Sequence, residues 1–151
     1  MARQLSTHLD LLTLAGAELG TSGWVEITQE HVNQFAEATG DHQWIHVDVQ
    51  RAKTGPFGGT IAHGYLSLAL APRFMDEVLR IDKYDAVLNY GLNKVRFPAP
   101  VPVGSRVRAV ITLVSAVERA GGTVEATFRL GYEVGGGERP PCVAETIYLY
   151  R

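Results

Sequence analysis

The sequence predicts an α+β protein in which an antiparallel sheet wraps around one central helix. Two observations carry that expectation. Tyr65, Leu66, Leu68, Ala69, Leu70 and Ala71 form a run that is apolar on nearly every side, the pattern of a helix that expects to be surrounded. Further on, Val124, Ala126, Phe128, Leu130, Tyr132 and Val134 alternate with Thr123, Glu125, Thr127, Arg129, Gly131 and Glu133, the period of a strand with one buried face. A buried helix followed by long strands is a layered α+β arrangement.

The elements follow in order. Residues 1–20 read as weakly helical and are expected to pack as an arm. Trp24 to Ile27 suits a short first strand. Thr28 caps a short helix with Glu30 in its first turn and Val32, Phe35 and Ala36 at helical spacing. Gly40 stands where such a helix ends in the left-handed conformation. Val49 to Lys53 suits another helical turn, and Thr54 to Thr60 is a turn-rich loop. The central helix is expected over Ala62 to Arg80, with Pro72 removing one backbone hydrogen bond and bending it. Leu88, Tyr90 and Leu92 share one strand face while Val95 and Phe97 have the opposite parity, which predicts a bulge near Asn93-Lys94. Val107, Ala109, Ile111 and Leu113 mark the next strand, Gly121-Gly122 the turn after it, and Cys142 to Tyr150 the strand that closes the sheet.

Bulk properties narrow the class. At 151 residues, with no repeat or linker, a single domain over 1–151 with a sizeable core is expected. A hydrophobic content of 46% and a charged content of 20% suit a globular protein. The net charge of −2, with scattered Lys and Arg, gives no footprint for a nucleic-acid partner. The apolar stretch from Ile61 to Ala71 is too short to span a bilayer, and Leu9 to Leu19 is broken by Asp10, Gly16 and Glu18, so neither a membrane partner nor a signal segment is expected. A lone cysteine, Cys142, fits a reducing compartment and hence a cytoplasmic location. With no histidine near it in sequence, Cys142 reads as a small strand residue rather than a nucleophile.

The segment Phe35-Ala-Glu-Ala-Thr-Gly-Asp-His-Gln-Trp-Ile-His46 carries the chemistry. On a continuous helix, Asp41 and His46 would point roughly 140° apart. Beyond Gly40 they fall in an expected loop, which can fold a carboxylate and an imidazole onto one point as an acid–base pair. Asp41, His42, His46 and Asp48 also make a cluster, but no HExxH or paired-Cys spacing supports a metal, and none is expected. His42 reads as a solvated residue and Asp48 as a turn former. The glycines of Gly55-Pro-Phe-Gly-Gly59 match no dinucleotide or P-loop fingerprint.

Three motifs in order resemble the MaoC-like (R)-specific enoyl-CoA hydratases of the hot-dog superfamily. The first is Phe35, Gly40-Asp41, Ile45-His46 and Ala52; the second His63-Gly64; the third Lys94-Val-Arg-Phe-Pro-Ala-Pro-Val-Pro-Val-Gly104. The resemblance runs from about Trp24 to the C-terminus. Common members carry Asn-Pro two residues after the acid; Gln43-Trp44 stands there here, which looks like the NodN-like branch.

The resemblance implies a hot-dog fold, a homodimer, and hydration of a trans-2-enoyl thioester or the reverse dehydration, on CoA or acyl-carrier protein. It implies no metal or redox cofactor. Asp41 and His46 would hold one water, with the division into acid and base left open. The backbone N–H of Gly64 would stabilise the enolate, since the first helical N–H groups lack internal partners. His63 would hydrogen-bond and shape the helix entry. By position, apolar Pro56 and Phe57 are expected to line the acyl entrance, and Asn89, Tyr90 and Gly91 to face the pocket, with packing the first reading of Tyr90. Trp44 would either narrow the site or anchor its loop. Arg51, Lys53, Lys94 and Arg96 read first as surface charge and second as electrostatic partners for CoA phosphates. Two rivals share the fold: an acyl-CoA thioesterase, against which the Asp–His loop argues, and a non-catalytic thioester-binding subunit.

Overall fold

Long-range strand pairing organises the molecule, and the computed structural model describes residues 1–151 of it. Four long strands make the body of the sheet: β5 (Val87–Arg96), β6 (Arg106–Glu118), β7 (Val124–Val134) and β8 (Val143–Tyr150). They pair antiparallel in the order β6-β7-β8-β5. Two short strands, β2 (Glu18–Thr21) and β3 (Val25–Glu26), lie one after the other along the free edge of β6. The alternation read from sequence holds on β6 and β7: Val107, Ala109, Ile111, Leu113 and every second residue from Val124 to Val134 are buried. The predicted bulge is present as a register shift between Leu92 and Lys94, joined by a second between Asn89 and Gly91.

The closing strand is not the edge. β8 lies between β7 and β5, and β5 forms the outer edge with Val87, Leu88, Tyr90 and Leu92 exposed.

Two helical expectations are corrected. The arm over residues 1–20 is instead β1 (Arg3–Thr7), a 3-10 turn (His8–Thr13) and β2. Thr7 and Asp10 form a capping box that starts the turn, while β1 takes its backbone partners from a strand far along the chain. That strand, β4 (Leu79–Lys83), is the second correction, because the expected helix ran to Arg80. β4 pairs in parallel with β1, placing Leu5 opposite Ile81.

The central helix is also broken in the middle, into α4 (Gly64–Ala69) and α5 (Ala71–Val78), rather than merely bent. Pro72 sits in the first turn of α5, where its missing N–H costs nothing within that helix. The carbonyl of Leu68, four residues back, loses its usual donor; the Tyr132 hydroxyl lies 3.4 Å away and donates to it. Phe74, Met75 and Val78 of α5 are buried against the sheet, with Phe74 edge-on to Tyr132 at 5.6 Å. α4 is not surrounded within the single chain: Tyr65 is 72% exposed, and its only buried residue is Ser67.

The first helix, α1 (Gln29–Thr39), is as read. Thr28 caps it by accepting the His31 N–H at 3.1 Å, and Gly40 ends it with φ at 78°. Two one-turn helices follow, α2 (Trp44–Val47) and α3 (Val49–Ala52).

Candidate active site

Asp41 stays in the loop after α1, while His46 rides on α2, a turn of helix where a loop was expected. A lattice of backbone and side-chain bonds fixes that turn. The Ile61 N–H donates to the Ile45 carbonyl at 3.0 Å, and His46 Nδ1 lies 2.7 Å from the Ile61 carbonyl. Gln29, from α1, donates through Nε2 to the His46 carbonyl at 2.7 Å and accepts from the Thr60 hydroxyl at 2.6 Å. Gln29 and Thr60 were not among the residues expected at the site. Their role depends on contacts between segments distant in sequence.

The Ile61 carbonyl can only accept, so His46 Nδ1 carries the proton and Nε2 holds the lone pair. His46 is buried, and that burial lowers its pKa below 6.5, with the charge of His63 adding to the effect; the Ile61 bond and Asp41 oppose it. An unprotonated Nε2 is a proton acceptor at neutral pH.

His63 joins this pair more closely than its expected role in the helix entry suggested. Its ring stacks on His46 at 3.9 Å with a 25° interplanar angle, and Phe35 covers it at 4.9 Å. His63 Nε2–H donates to the Asp41 backbone carbonyl at 2.9 Å, tying the acid loop to the start of α4. Its Nδ1 is buried without a partner. A carboxylate oxygen of Asp41 and ring nitrogens of His46 and His63 lie within 4.8 Å of one another.

That trio is a donor set a metal could be imagined to use, in place of the sequence cluster. Its geometry does not suit one. Imidazole lone pairs lie in the ring plane, and two nearly parallel rings direct them side by side rather than toward a common point. The other two members of the sequence cluster lie elsewhere: exposed His42 faces Glu37 at 3.7 Å, and Asp48 caps α3 by accepting the Arg51 N–H at 3.0 Å.

A cavity of about 280 Å³ opens beside His46, lined by Gly64, Ser67, Phe57 and the segment Phe97 to Val101. As the first residue of α4, Gly64 has an N–H with no acceptor inside the helix. A Cβ there would meet the Phe97 ring at 3.1 Å, so only glycine lets the ring lie this close. Phe57 lines the cavity. Phe97 and Ser67 were not singled out, although Phe97 lies within the third sequence motif.

Three expected pocket residues are elsewhere. Asn89, Tyr90 and Gly91 line a separate cavity of about 350 Å³ beside Leu68 to Pro72, not the one at His46. The sheet edge that carries them runs past the far end of α4. Trp44 does not line the His46 cavity either. It packs under the Arg51 guanidinium, 4.2 Å from the ring centre, and so close to Gly55 that a Cβ there would come within 3.0 Å. Cys142 lies just before β8 rather than in it, is fully buried, and has its thiol pushed up to about 12 by burial, in keeping with a packed residue rather than a nucleophile.

Comparison with known proteins gives a consistent set. Residues 10–133 match the family described as the MaoC like domain. The 3-hydroxyacyl-thioester dehydratase Z of Mycobacterium tuberculosis is 55% identical over 148 residues, covering 98% of each chain. Nodulation protein N of Rhizobium meliloti is 40% identical, covering 93% of this chain and 88% of the relative. Among solved structures, an Archaeoglobus monoamine oxidase regulatory protein superimposes with a TM-score of 0.79 at 25% identity, over 100% of this chain and 97% of that one. The (R)-hydratase from A. caviae matches in fold, with a TM-score of 0.67 at 22% identity over 89% and 94% of the two chains.

Proposed function

The chain belongs to the MaoC-like domain family, and from that premise we propose that it catalyses the (R)-specific hydration of trans-2-enoyl thioesters and the reverse dehydration of 3-hydroxyacyl thioesters. It is an enzyme of the hydratase and dehydratase class. The observation that carries the chemistry is the approach of Asp41 and His46 to within 4.8 Å, beside a cavity that also holds Gly64.

Water bound between the two groups donates one hydrogen to the Asp41 carboxylate and the other to His46 Nε2. As its oxygen attacks C3, Nε2 takes the proton, and the electron pair of the double bond moves through C2 to the thioester oxygen. The Gly64 N–H receives that negative charge, and the conjugate enolate then takes the proton from Nε2 at C2. Both new bonds form on the face where the water sat, which makes the addition syn. Dehydration retraces the path. His46 is the base in this scheme because its tautomer leaves Nε2 free. Asp41, exposed beside the cavity, orients the water.

Every step is a proton transfer or an attack by water, so the proposal includes no metal or redox cofactor. A second copy of this chain is the proposed partner of the β5 edge, whose exposed apolar side chains and unpaired backbone favour a sheet continued across two subunits. No helix is long and apolar enough to cross a membrane. A cytoplasmic location belongs to the proposal, supported by the single buried thiol.

The test is loss of enoyl absorbance with short trans-2-enoyl-CoA, beside a thiol-release assay. Asp41→Asn should slow water addition by roughly 10²–10⁴-fold with little change in Tm. Thiol release in place of hydration would identify a thioesterase, and thioester binding without either reaction a binding subunit.

A further inference from the structure

The one buried residue of α4 is its only serine. Ser67 is 2% exposed while its apolar neighbours Leu66 and Leu68 are half-buried and Tyr65 is open to solvent. A polar group is placed inside at a cost unless something bonds to it. A serine in a helix commonly satisfies itself on the carbonyl four residues back. That carbonyl, of His63, already accepts the backbone N–H of Ser67 at 3.3 Å and of Leu66 at 3.1 Å. The side chain lines the same cavity as His46 and Gly64.

Helix geometry says where the hydroxyl points. Residues three apart share a face, and each Cα–Cβ bond tilts toward the helix N-terminus, so Ser67 lies over the turn that begins at Gly64. Gly64 has no side chain to fill that space.

We propose that the Ser67 hydroxyl is a second hydrogen-bond donor to the thioester carbonyl oxygen of the substrate, acting beside the Gly64 N–H. This rests on the hydration reading given above. In the ground state the hydroxyl orients the carbonyl; as the enolate forms, the same bond strengthens, so its effect falls mainly on the chemical step. Ser67 is thereby a group that touches substrate. The cavity walls next to it, Phe57, Phe97 and Val101, are apolar, which raises the worth of a bond made there.

Ser67→Ala and Ser67→Thr test it, the second keeping the hydroxyl. With a short trans-2-enoyl-CoA, Ser67→Ala should lose about 10²-fold in kcat with KM within about threefold, as for removal of one oxyanion donor. Ser67→Thr should recover most of the loss, at an unchanged Tm. A second readout does not require turnover: the ultraviolet band of a conjugated dienoyl-CoA bound to the protein should shift to longer wavelength with the native chain and less so with Ser67→Ala. An Ala variant with kcat within twofold of the native chain would overturn the proposal, as would equal band shifts. A Thr variant as slow as Ala at native Tm would overturn it too. If the native chain binds the thioester without hydrating it, the hydration reading fails, and the band shift still decides the role of Ser67.

Discussion

The imidazoles of His46 and His63 stack at 3.9 Å with 25° between their planes, so the proposed base is buried against a second ring rather than against water. One nitrogen of each ring is committed to a backbone carbonyl, Ile61 for His46 and Asp41 for His63. The stack thus joins three pieces of chain: the loop of the acid, the turn of the base and the first residue before α4.

The pH dependence follows from that burial. His46 works as a base only when unprotonated, and burial, seconded by His63, holds its pKa below 6.5. Hydration should therefore persist below pH 6.5 and fall as the pH drops through the lowered value. A kcat/KM profile checks this, and an acid limb centred at or above 6.5 would contradict it. Stability carries the same sign. Between the lowered pKa and 6.5 the unfolded chain binds the proton and the folded chain does not, so stability rises with pH through that window. It is lost as the pH falls through it, and urea midpoints at fixed pH would register the change.

Gln29 ties His46 in place without reaching the cavity. Its amide bridges the His46 carbonyl and the Thr60 hydroxyl, and Thr60 precedes the residue that holds His46 Nδ1. Gln29→Met keeps the length and removes both bonds. Leaving a partly buried carbonyl and hydroxyl unpaired costs on the order of 1–3 kcal/mol, and a base displaced by fractions of an ångström loses rate without losing substrate. The expected result is a lower Tm and kcat reduced about tenfold at nearly constant KM. A KM effect alone would place Gln29 at the substrate instead.

The difference between what sequence revealed and what it did not has a physical basis. Strand alternation from Val124 to Val134, the Thr28 and Gly40 caps, and the meeting of Asp41 with His46 all depend on local pattern or on a motif, and all are present. The parallel pairing of β1 with β4 depends on contacts between residues 76 positions apart, and no local signal marks it: Val78 to Arg80 suits a helix end as well as a strand. Ser67 was hidden by its context, one serine in an apolar run, with only its burial setting it apart. Asn89, Tyr90 and Gly91 are expected to face the pocket but line the second cavity, where β5 passes the end of α4 and the start of α5.

Trp44 is an anchor in this structure, and that reading is separable from a role in acyl selection. The ring is held between Arg51 and Gly55, away from the lining of the His46 cavity. Trp44→Ala removes a half-buried aromatic ring and should cost about 2 kcal/mol, below the range for fully buried ones. The relative rates on enoyl-CoA substrates of different chain length should stay as they are. A changed preference at native Tm would mean that Trp44 shapes the acyl site.

Gly64 offers the sharpest test of crowding against catalysis. A Cβ added there would sit 3.1–3.3 Å from three atoms of the Phe97 ring. Phe97 is 39% exposed, so its ring has room to swing and the loss of stability in Gly64→Ala should stay under about 1 kcal/mol. Activity should suffer far more, because the methyl group and the displaced ring both intrude where the thioester must meet the Gly64 N–H. A loss of about 10²-fold in kcat/KM is expected, comparable with removing an oxyanion donor. Pairing Gly64→Ala with Phe97→Ala separates the two contributions. If displacement of Phe97 were the whole cause, the double variant would return to the rate of Phe97→Ala alone. Retention of most of the loss in the double variant, with substrate binding weakened only slightly, is the result expected of a donor whose approach the methyl group itself blocks.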